Sequence, residues 1–241
     1  MSTAYAIIPA AGLSTRMGST TTGQARKQMA EIGGAPILIH TLRKFARGGR
    51  FAAVLVPVRR EDMPAVEARI AAEHFPTPVQ VLEGGNARQD SVWNAVQQLG
   101  MAADDDTLIL IHDAVRPFVP EEIIERALED AERHPAVIVA TPAVDTVKQV
   151  ERASADANRV TATLQRERIV LAQTPQVFRL GLLRRAFAHA HSDGFYATDE
   201  ASLVEHLGED VFVVPGSPRN WKITTPADLP LAGILLASSI V

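Results

Sequence analysis

Short apolar runs alternate with helix-like stretches along residues 4–143 of the chain. The apolar runs are rich in β-branched residues and predict five strands, at 4–10, 51–58, 79–84, 107–113 and 136–143. The stretches between them predict four helices, at 36–47, 62–75, 90–100 and 120–134. Strands that are apolar on both faces and separated by helices are typical of a parallel sheet covered on both sides. The pattern therefore predicts a doubly wound α/β fold with a mostly parallel sheet.

Residues 144–174 break this alternation. The segments VDTVKQV and VTATLQ flank the polar stretch ERASADAN, which is the pattern of two half-exposed strands around a turn. We predict a hairpin-like arm that leaves one domain spanning residues 1–241. A protruding arm has to cover its apolar face, and a second copy of the chain is the simplest partner, so we expect a symmetric dimer. The alternative is a hairpin folded flat on its own domain.

Composition narrows the possible functions. The chain has 241 residues, a formal net charge of −4 and no cysteine, which excludes disulfides, thiolate nucleophiles and thiolate metal sites. No basic stripe is visible, so we expect no nucleic-acid partner. The start of the chain lacks the pattern of a signal peptide, and the apolar run near its end is too short to span a bilayer. We expect a cytoplasmic protein with no membrane partner, whose last apolar run is a packed helix.

Polar clusters follow the predicted strands, where doubly wound sheets bind ligands. The first cluster is PAAGLSTRMG at 9–18, in which Ala10, Ala11 and Gly12 let a nucleotide approach the backbone. Arg16 adds a permanent cation. The alternative interpretation is an ordinary strand-to-helix turn with a solvated arginine. Next along the chain, Arg26-Lys27-Gln28 follows a Ser/Thr/Gly-rich loop that suits a lid over phosphates, or is a solvated charge pair.

Three later clusters complete the candidate site. In EGGNARQDSV, at 83–92, the glycines permit close backbone approach, and Asn86, Arg88 and Ser91 offer donors and acceptors to a base edge; the alternative is a plain capped turn. In IHDAVRPF, at 111–118, Asp113 is placed for a metal or a ribose. Lys222, in NWKITTPADL, could reach a triphosphate. We predict that the seven histidines are structural or solvated.

These segments occur in the order found in the bacterial 2-C-methyl-D-erythritol 4-phosphate cytidylyltransferases, enzymes of the non-mevalonate isoprenoid pathway. The chain resembles this family from about residue 5 to residue 232 through PAAGLSTRM, KQ, GGNARQDSV, HDAVRPF, DTVK, TPQVF, TDEAS and NWKITTPADL. It departs from the family at Ser14, in the longer stretch from Arg16 to Lys27, and at Arg26–Met29. The resemblance implies a Rossmann-like nucleotidyltransferase fold and transfer of CMP from CTP to methylerythritol phosphate, with release of pyrophosphate.

The resemblance also implies roles for individual residues. The cytidine pocket would comprise Ala10, Ala11, Gly12, Gly85, Asn86 and Ser91, with Asp113 and Ala114 at the ribose and near the metal. The catalytic triphosphate clamp would be Arg16, Lys27 and Lys222. The acceptor would be held by Arg116, Arg166, Thr174 and Thr198, and by Thr146 from the arm of the partner subunit in a homodimer. Mg²⁺ would be held mainly by the CTP phosphates.

Two other functions remain open on the sequence. A sibling cytidylyltransferase acting on a pentitol phosphate such as ribitol 5-phosphate would share most nucleotide-binding segments. A non-catalytic CTP-binding module would share the fold, although it would have little reason to keep both the phosphate cations and the acceptor-side arginines. Pyrophosphate release from CTP and the acceptor distinguishes an enzyme from such a module.

Overall fold

The computed structural model describes residues 3–12, 19–20, 23–24, 27–100, 103–154 and 157–238. Its strands are β1 Ala4–Ile7, β2 Ser19–Thr20, β3 Gly23–Gln24, β4 Glu31–Ile32, β5 Ala35–Pro36, β6 Ala53–Val58, β7 Val79–Glu83, β8 Leu108–Ile111, β9 Ala136–Pro142, β10 Lys148–Arg152, β11 Asn158–Thr163, β12 Val170–Arg179 and β13 Phe212–Pro215. Its α-helices are α1 Ile37–Ala46, α2 Met63–Glu73, α3 Arg88–Leu99, α4 Glu121–Ala131, α5 Leu180–Asp193, α6 Glu200–His206 and α7 Asp228–Ala237. Short 3₁₀ helices lie at Lys27–Met29, Arg60–Asp62 and Arg166–Arg168.

Seven strands form the central sheet, in the order β13-β9-β12-β8-β1-β6-β7. The pairs β1–β6, β1–β8, β6–β7 and β9–β13 are parallel, and β12 alone runs antiparallel, between β8 and β9. The chain moves outward from β1 to β7 and then returns to place β8 on the other side of β1. This reversal is a topological switch point, the position at which doubly wound sheets open a crevice for ligands. The predicted doubly wound, mostly parallel α/β fold is confirmed.

The sheet is covered on both faces, as its apolar strands require. In β1, Ala4 and Ala6 face a cluster that includes residues of α1 and α4, whereas Tyr5 and Ile7 face a cluster that includes residues of α3, α5 and α6. Alternate side chains point to opposite faces of a strand, so both sets of positions have to be apolar. A third cluster packs α7 against Ile32 and Ile37. No helix among the described residues has the length and apolar character to cross a bilayer.

The predicted hairpin is present as the antiparallel pair β10 and β11, which we call the arm hairpin. Its two strands form a sheet of their own, separate from the central sheet. Val150 and Val160, paired with each other, are 50% and 54% exposed. The last part of the 144–174 range does not belong to the hairpin, because residues from Val170 onward lie in β12 of the central sheet. The apolar side chains of the arm hairpin therefore lack a cover within the described part of the chain.

Candidate active site

Two cavities adjoin each other at the carboxyl ends of the central strands. The first cavity, of about 230 Å³, is lined by Pro9, Ala10, Ala11, Gly12, Lys27, Gln28, Arg88, Ser91, Asp113, Ala114, Val115, Lys222 and Thr224. The second cavity, of about 220 Å³, is lined by Arg88, Asp113, Arg116, Ala172, Gln173, Thr174, Gln176, Thr198, Asp199 and Lys222. Arg88, Asp113 and Lys222 line both cavities. Two small polar sites thus share one charged wall.

The loops after β1 and β7 approach each other closely below the first cavity. A Cβ atom on Gly84 would lie 2.6 Å from the Cβ of Ala11 and 3.0 Å from the hydroxyl of Ser91, so this position requires glycine. The buried Ser91 hydroxyl accepts a hydrogen bond from the amide of Gly85 at 3.0 Å and donates to the carbonyl of Ala87 at 2.9 Å. A Cβ on Gly12, by contrast, would meet no atom of the described residues within 4 Å. Gly12 therefore leaves room in the first cavity that any larger residue would reduce.

The backbone amides that follow β1 differ in whether they are hydrogen-bonded within the described part of the protein. The amide of Ala10 donates to the carbonyl of Pro57 at 2.8 Å, which extends the pairing of β1 with β6 and uses this group. The amides of Ala11 and Gly12 have no hydrogen-bond partner among the described residues. Gln28 is buried, and its side-chain amide donates to the carbonyl of Ala10 at 2.6 Å. This bond holds the short 3₁₀ helix that begins at Lys27 against the same loop.

Asp113 lies in the wall that the cavities share and is surrounded by cations. Its carboxylate accepts hydrogen bonds from Lys222 at 2.8 Å and from Arg88 and Arg116 at 3.4 Å each. Burial alone would raise the pKa of Asp113, but Arg88, Lys222 and Arg116 together hold that pKa well below its usual range. Asp113 is therefore ionised at neutral pH and fixes the positions of three cationic side chains.

Arg88 forms an ion pair with a carboxylate that lies far away in the sequence. Its Nη1 atom lies 2.7 Å from both carboxylate oxygens of Glu200, which is 1% exposed. Burial alone would lower the pKa of Arg88, but Glu200 and Asp113 more than offset this and raise it. The sequence interpretation, in which Arg88 serves a base edge, missed this pair. Glu200 lies in the segment TDEAS, but the separation of 112 residues leaves no signal from which the pairing could have been inferred.

The segment that carries Lys222 is attached to the loop after β8. Arg116 donates to the carbonyl of Asn220 at 2.7 Å, and the amide of Ile223 donates to the carbonyl of Val115 at 3.0 Å. Asp228, in the first turn of α7, accepts from the amides of Thr224 and Thr225 at 2.6 and 2.8 Å. These bonds place Lys222 and Thr224 at the first cavity.

A buried histidine supports the second cavity. The Nε2–H of His112 donates to the carbonyl of Arg116 at 3.0 Å, so its Nδ1 accepts from the hydroxyl of Thr174 at 3.1 Å. The same hydroxyl oxygen accepts from the amide of Asp113 at 3.0 Å. Burial lowers the pKa of His112 to about 4, so the ring is neutral at pH 7. The hydroxyl proton of Thr174 is thus already donated to His112, and the hydroxyl can meet a substrate only as an acceptor.

The structure brings most of the predicted site residues together. The first cavity is lined by Ala10, Ala11, Gly12, Lys27, Ser91, Asp113, Ala114 and Lys222. The second cavity is lined by Arg116, Thr174 and Thr198, together with the shared Asp113 and Lys222. Neither cavity is lined by Gly85, Asn86, Thr146 or Arg166. Arg16, Ser14 and Arg26 lie outside the described residues.

The donor set around the first cavity suits anions better than a metal held by protein alone. Among the described residues, its lining carries three cations, Lys27, Arg88 and Lys222, and a single carboxylate, Asp113. Both oxygens of Asp113 already accept hydrogen bonds from cationic groups. Mg²⁺ prefers oxygen ligands and is usually bound through one or two carboxylates together with substrate phosphates. The residues therefore fit a Mg²⁺ ion bound mainly to phosphate oxygens, with Asp113 nearby.

Comparison with known proteins identifies the family. The family model described as IspD, 2-C-methyl-D-erythritol 4-phosphate cytidylyltransferase, matches residues 4–238. The chain belongs to this family.

Relatives of this cytidylyltransferase family match along nearly the full length of the chain. The 2-C-methyl-D-erythritol 4-phosphate cytidylyltransferase of Acidobacterium capsulatum is 52% identical over 234 residues, which cover 96% of both chains. That of Solibacter usitatus is 50% identical over 233 residues, covering 95% of this chain and 94% of the relative. The crystal structure of 4-diphosphocytidyl-2C-methyl-D-erythritol synthase from Anaerococcus prevotii matches with a TM-score of 0.82 at 28% identity, over 98% of this chain and 96% of that one.

Proposed function

We propose that this chain transfers CMP from CTP to 2-C-methyl-D-erythritol 4-phosphate in isoprenoid precursor biosynthesis, giving 4-diphosphocytidyl-2-C-methyl-D-erythritol and pyrophosphate. Membership of the cytidylyltransferase family over residues 4–238 carries this conclusion. The two adjoining cavities agree with a reaction that joins two anionic substrates. No observation favours a pentitol phosphate acceptor or a non-catalytic CTP-binding role.

The first cavity is our candidate for CTP. The amides of Ala11 and Gly12 and the side chains of Lys27, Lys222 and Thr224 all lie where a nucleotide phosphate could approach. Amides, lysines and hydroxyls of this kind bind phosphate oxygens well. Arg16 remains a predicted third member of the triphosphate clamp, and Gly85 and Asn86 remain predicted base contacts.

The second cavity is our candidate for methylerythritol phosphate. Arg116 offers a guanidinium to the acceptor phosphate, and Thr198 offers a hydroxyl. Thr174 would act mainly by holding the backbone of Asp113, since its hydroxyl accepts from that amide. A shared wall between the two cavities is what direct transfer between their occupants requires.

The chemistry needs positioning and charge stabilisation rather than a general base. An oxygen of the acceptor phosphate, already anionic at neutral pH, forms a bond to the α-phosphorus of CTP. The bond from that phosphorus to the α,β-bridging oxygen breaks, and pyrophosphate leaves with the electron pair. Lys27, Arg88 and Lys222 line the first cavity, and they would stabilise the charge that builds up on the α-phosphoryl group and the leaving group. Mg²⁺, when bound to the CTP phosphates, neutralises part of the same charge.

Pyrophosphate release tests the proposed function. We would mix the protein with Mg²⁺ and CTP and compare methylerythritol 4-phosphate with ribitol 5-phosphate as acceptors. We expect release with methylerythritol 4-phosphate alone. Equal or faster release with ribitol 5-phosphate would overturn the acceptor assignment, and no release with either would overturn the enzymatic one. A Lys27→Ala protein in the same assay excludes a contaminating activity.

We further propose a homodimer built through the arm hairpin, in a cytoplasmic protein whose residues 1–241 form one domain. The exposed Val150 and Val160 support the dimer, since apolar side chains at an uncovered β-hairpin need a partner surface. Thr146 and Arg166, near the arm hairpin, are both exposed and line neither cavity of their own chain. Arg166 donates to the carbonyl of Val144 at 2.9 Å. This location suits residues that complete the acceptor site of the partner subunit.

Subunit complementation tests this arrangement. Arg166→Ala damages the arm of a subunit, and Lys27→Ala damages its nucleotide site. If the arm acts in the partner, a mixed dimer combines the intact pocket of the Arg166→Ala subunit with the intact arm of the Lys27→Ala subunit. Mixing the two proteins under subunit exchange should then restore activity. A mixture no more active than its two components, or a monomer by light scattering, would contradict the proposal.

A further inference from the structure

A cluster of metal-binding side chains lies outside both cavities, on the helices that follow β12. His189 and Asp193 stand one turn apart near the end of α5, and His206 is the last residue of α6. The Nε2 atoms of His189 and His206 lie 3.5 and 2.9 Å from the same carboxylate oxygen of Asp193. These three atoms lie within 4.8 Å of one another.

The surroundings orient these side chains toward a common point. The second oxygen of Asp193 accepts a hydrogen bond from the hydroxyl of Ser192 at 3.0 Å, which leaves the first oxygen to face the imidazoles. The ring of His206 stacks on Phe195, with centroids 4.1 Å apart and an angle of 12° between the planes. Partners that fix the ligand side chains are typical of metal sites in proteins.

The three ligand atoms are close enough to share one ion. A Zn²⁺ ion bound tetrahedrally at about 2.0–2.1 Å places its ligand atoms about 3.4 Å apart. The 3.5 Å between His189 and Asp193 matches that value, whereas the 2.9 Å between His206 and Asp193 is a hydrogen-bond distance that would lengthen when the ion binds. One carboxylate–histidine hydrogen bond would account for Asp193 and His206, but it does not explain why His189 turns its Nε2 to the same oxygen.

We propose that His189, Asp193 and His206 form a binding site for a divalent transition metal, with Zn²⁺ as the ion that this set of ligands suits best. Imidazole and carboxylate are established Zn²⁺ ligands, and three protein ligands leave a position for water. All three side chains keep contact with solvent, with exposures of 41%, 43% and 30%, so an ion can reach them. Structural or solvated roles were predicted for these histidines, because His189 and His206 lie on different helices and no sequence pattern connects them.

The position of the site suggests what the ion does. It joins the carboxyl ends of α5 and α6 across the connection that runs from Gly194 to Asp199. Thr198 and Asp199, at the end of this connection, line the second cavity. A bound ion would clamp the two helices together and stiffen the segment between them.

Calorimetric titration with Zn²⁺ tests the site. Chelator-treated protein would be titrated with ZnCl₂ in the absence of nucleotide, so that no phosphate competes for the ion. We expect one Zn²⁺ per chain, and binding at least about tenfold weaker in His189→Gln and in His206→Gln, since even supporting residues of metal sites contribute this much. His191→Gln is the matched control, because this exposed histidine lies on the same helix but outside the cluster. It should bind as the unaltered protein does.

A second measurement separates loss of the site from loss of the fold. Thermal unfolding without metal should give closely similar midpoints for all four proteins, and Zn²⁺ should raise the midpoint only for the unaltered protein and His191→Gln. No binding by the unaltered protein would overturn the proposal. So would equal binding by His189→Gln and His206→Gln, since the ion would then sit elsewhere.

Discussion

The first cavity is enclosed mainly by segments that directly follow β1, β7 and β8, whereas the second is enclosed by side chains that long-range contacts bring together. Gly12 and Ser91 are placed by the strand ends beside them. Thr174 and Thr198, in contrast, come from β12 and from the connection before α6. The positions of the strand ends therefore largely determine the first cavity, whereas the second depends on interactions between distant parts of the chain. Arg88 belongs to both, and its substitution should have the largest effect.

Arg88→Met should destabilise the fold and impair both cavities. It leaves Glu200, which is 1% exposed, without its cation, and breaking a buried ion pair in this way costs about 3–5 kcal/mol. Urea unfolding would measure the loss. The matched control is Arg60→Met, because Arg60 makes a similar two-bond pair with Glu83 but is 80% exposed, so that solvent screens the pair and its loss should change stability far less. Equal losses for the two variants would show that the buried pair has no special role.

Lys27→Ala should test the first cavity alone. If Lys27 acts on the α-phosphate as proposed, removing this cation should lower kcat by about 10²–10³, or about 3–4 kcal/mol, by analogy with lost oxyanion donors. Steady-state pyrophosphate release measures the effect, and Lys44→Ala, on α1 and outside both cavities, serves as the control. A Lys27→Ala enzyme close to the unaltered rate would remove Lys27 from the catalytic clamp.

His112 should make the second cavity sensitive to acid. The unfolded histidine takes up a proton near pH 6.5, whereas burial lowers the pKa of His112 in the folded protein to about 4. The unfolded state therefore binds more protons between these values, and stability should fall by about 3 kcal/mol from pH 6.5 to pH 4. His112→Asn keeps an acceptor for Thr174 but does not titrate. Unfolding curves at several pH values should show a smaller loss of stability at low pH for this variant. An unchanged loss would mean that other titrating groups cause it.

A pair of small changes should separate the two cavities by substrate. Gly12→Ala adds a methyl group to the first cavity that meets no atom of the described residues within 4 Å, so it should raise KM for CTP without loss of stability. Thr198→Ala removes a hydroxyl from the second cavity and should raise KM for the acceptor. Each effect should be about 1 kcal/mol, roughly fivefold in KM. If either variant raised both KM values equally, the assignment of one substrate to each cavity would be wrong.

The contrast between the cavities also explains how far the sequence could predict the molecule. Apolar runs predicted five of the seven central strands, β1, β6, β7, β8 and β9, because a strand buried on both faces has a distinctive composition. The other two, β12 and β13, were not predicted. Strand ends then located Gly12, Ser91 and Asp113 correctly at one edge of the sheet. Element boundaries were less accurate: the strand expected at 107–113 is β8 Leu108–Ile111, and the expected end of the arm lies in β12.

Contacts between residues far apart in the chain could not be predicted from the sequence. Nothing in the composition around Arg88 points to Glu200, and nothing around His112 points to Thr174. The same holds for His189 and His206, which lie on different helices and meet only because α5 and α6 pack together. A single sequence has periodicity within an element but carries no record of which elements touch, so pairs across elements had to come from the structure.

The shared wall of the two cavities links their ligands thermodynamically. Lys222 lies 2.8 Å from Asp113, and both residues face both cavities. An anion in the first cavity that draws Lys222 away from Asp113 leaves more negative charge at the second cavity, and an anion in the second cavity acts on the first in the same way. Such coupling is reciprocal, because each substrate changes the affinity of the other by the same factor. Cooperativity between the substrates, positive or negative, is thus a property of two side chains and requires no movement of the sheet.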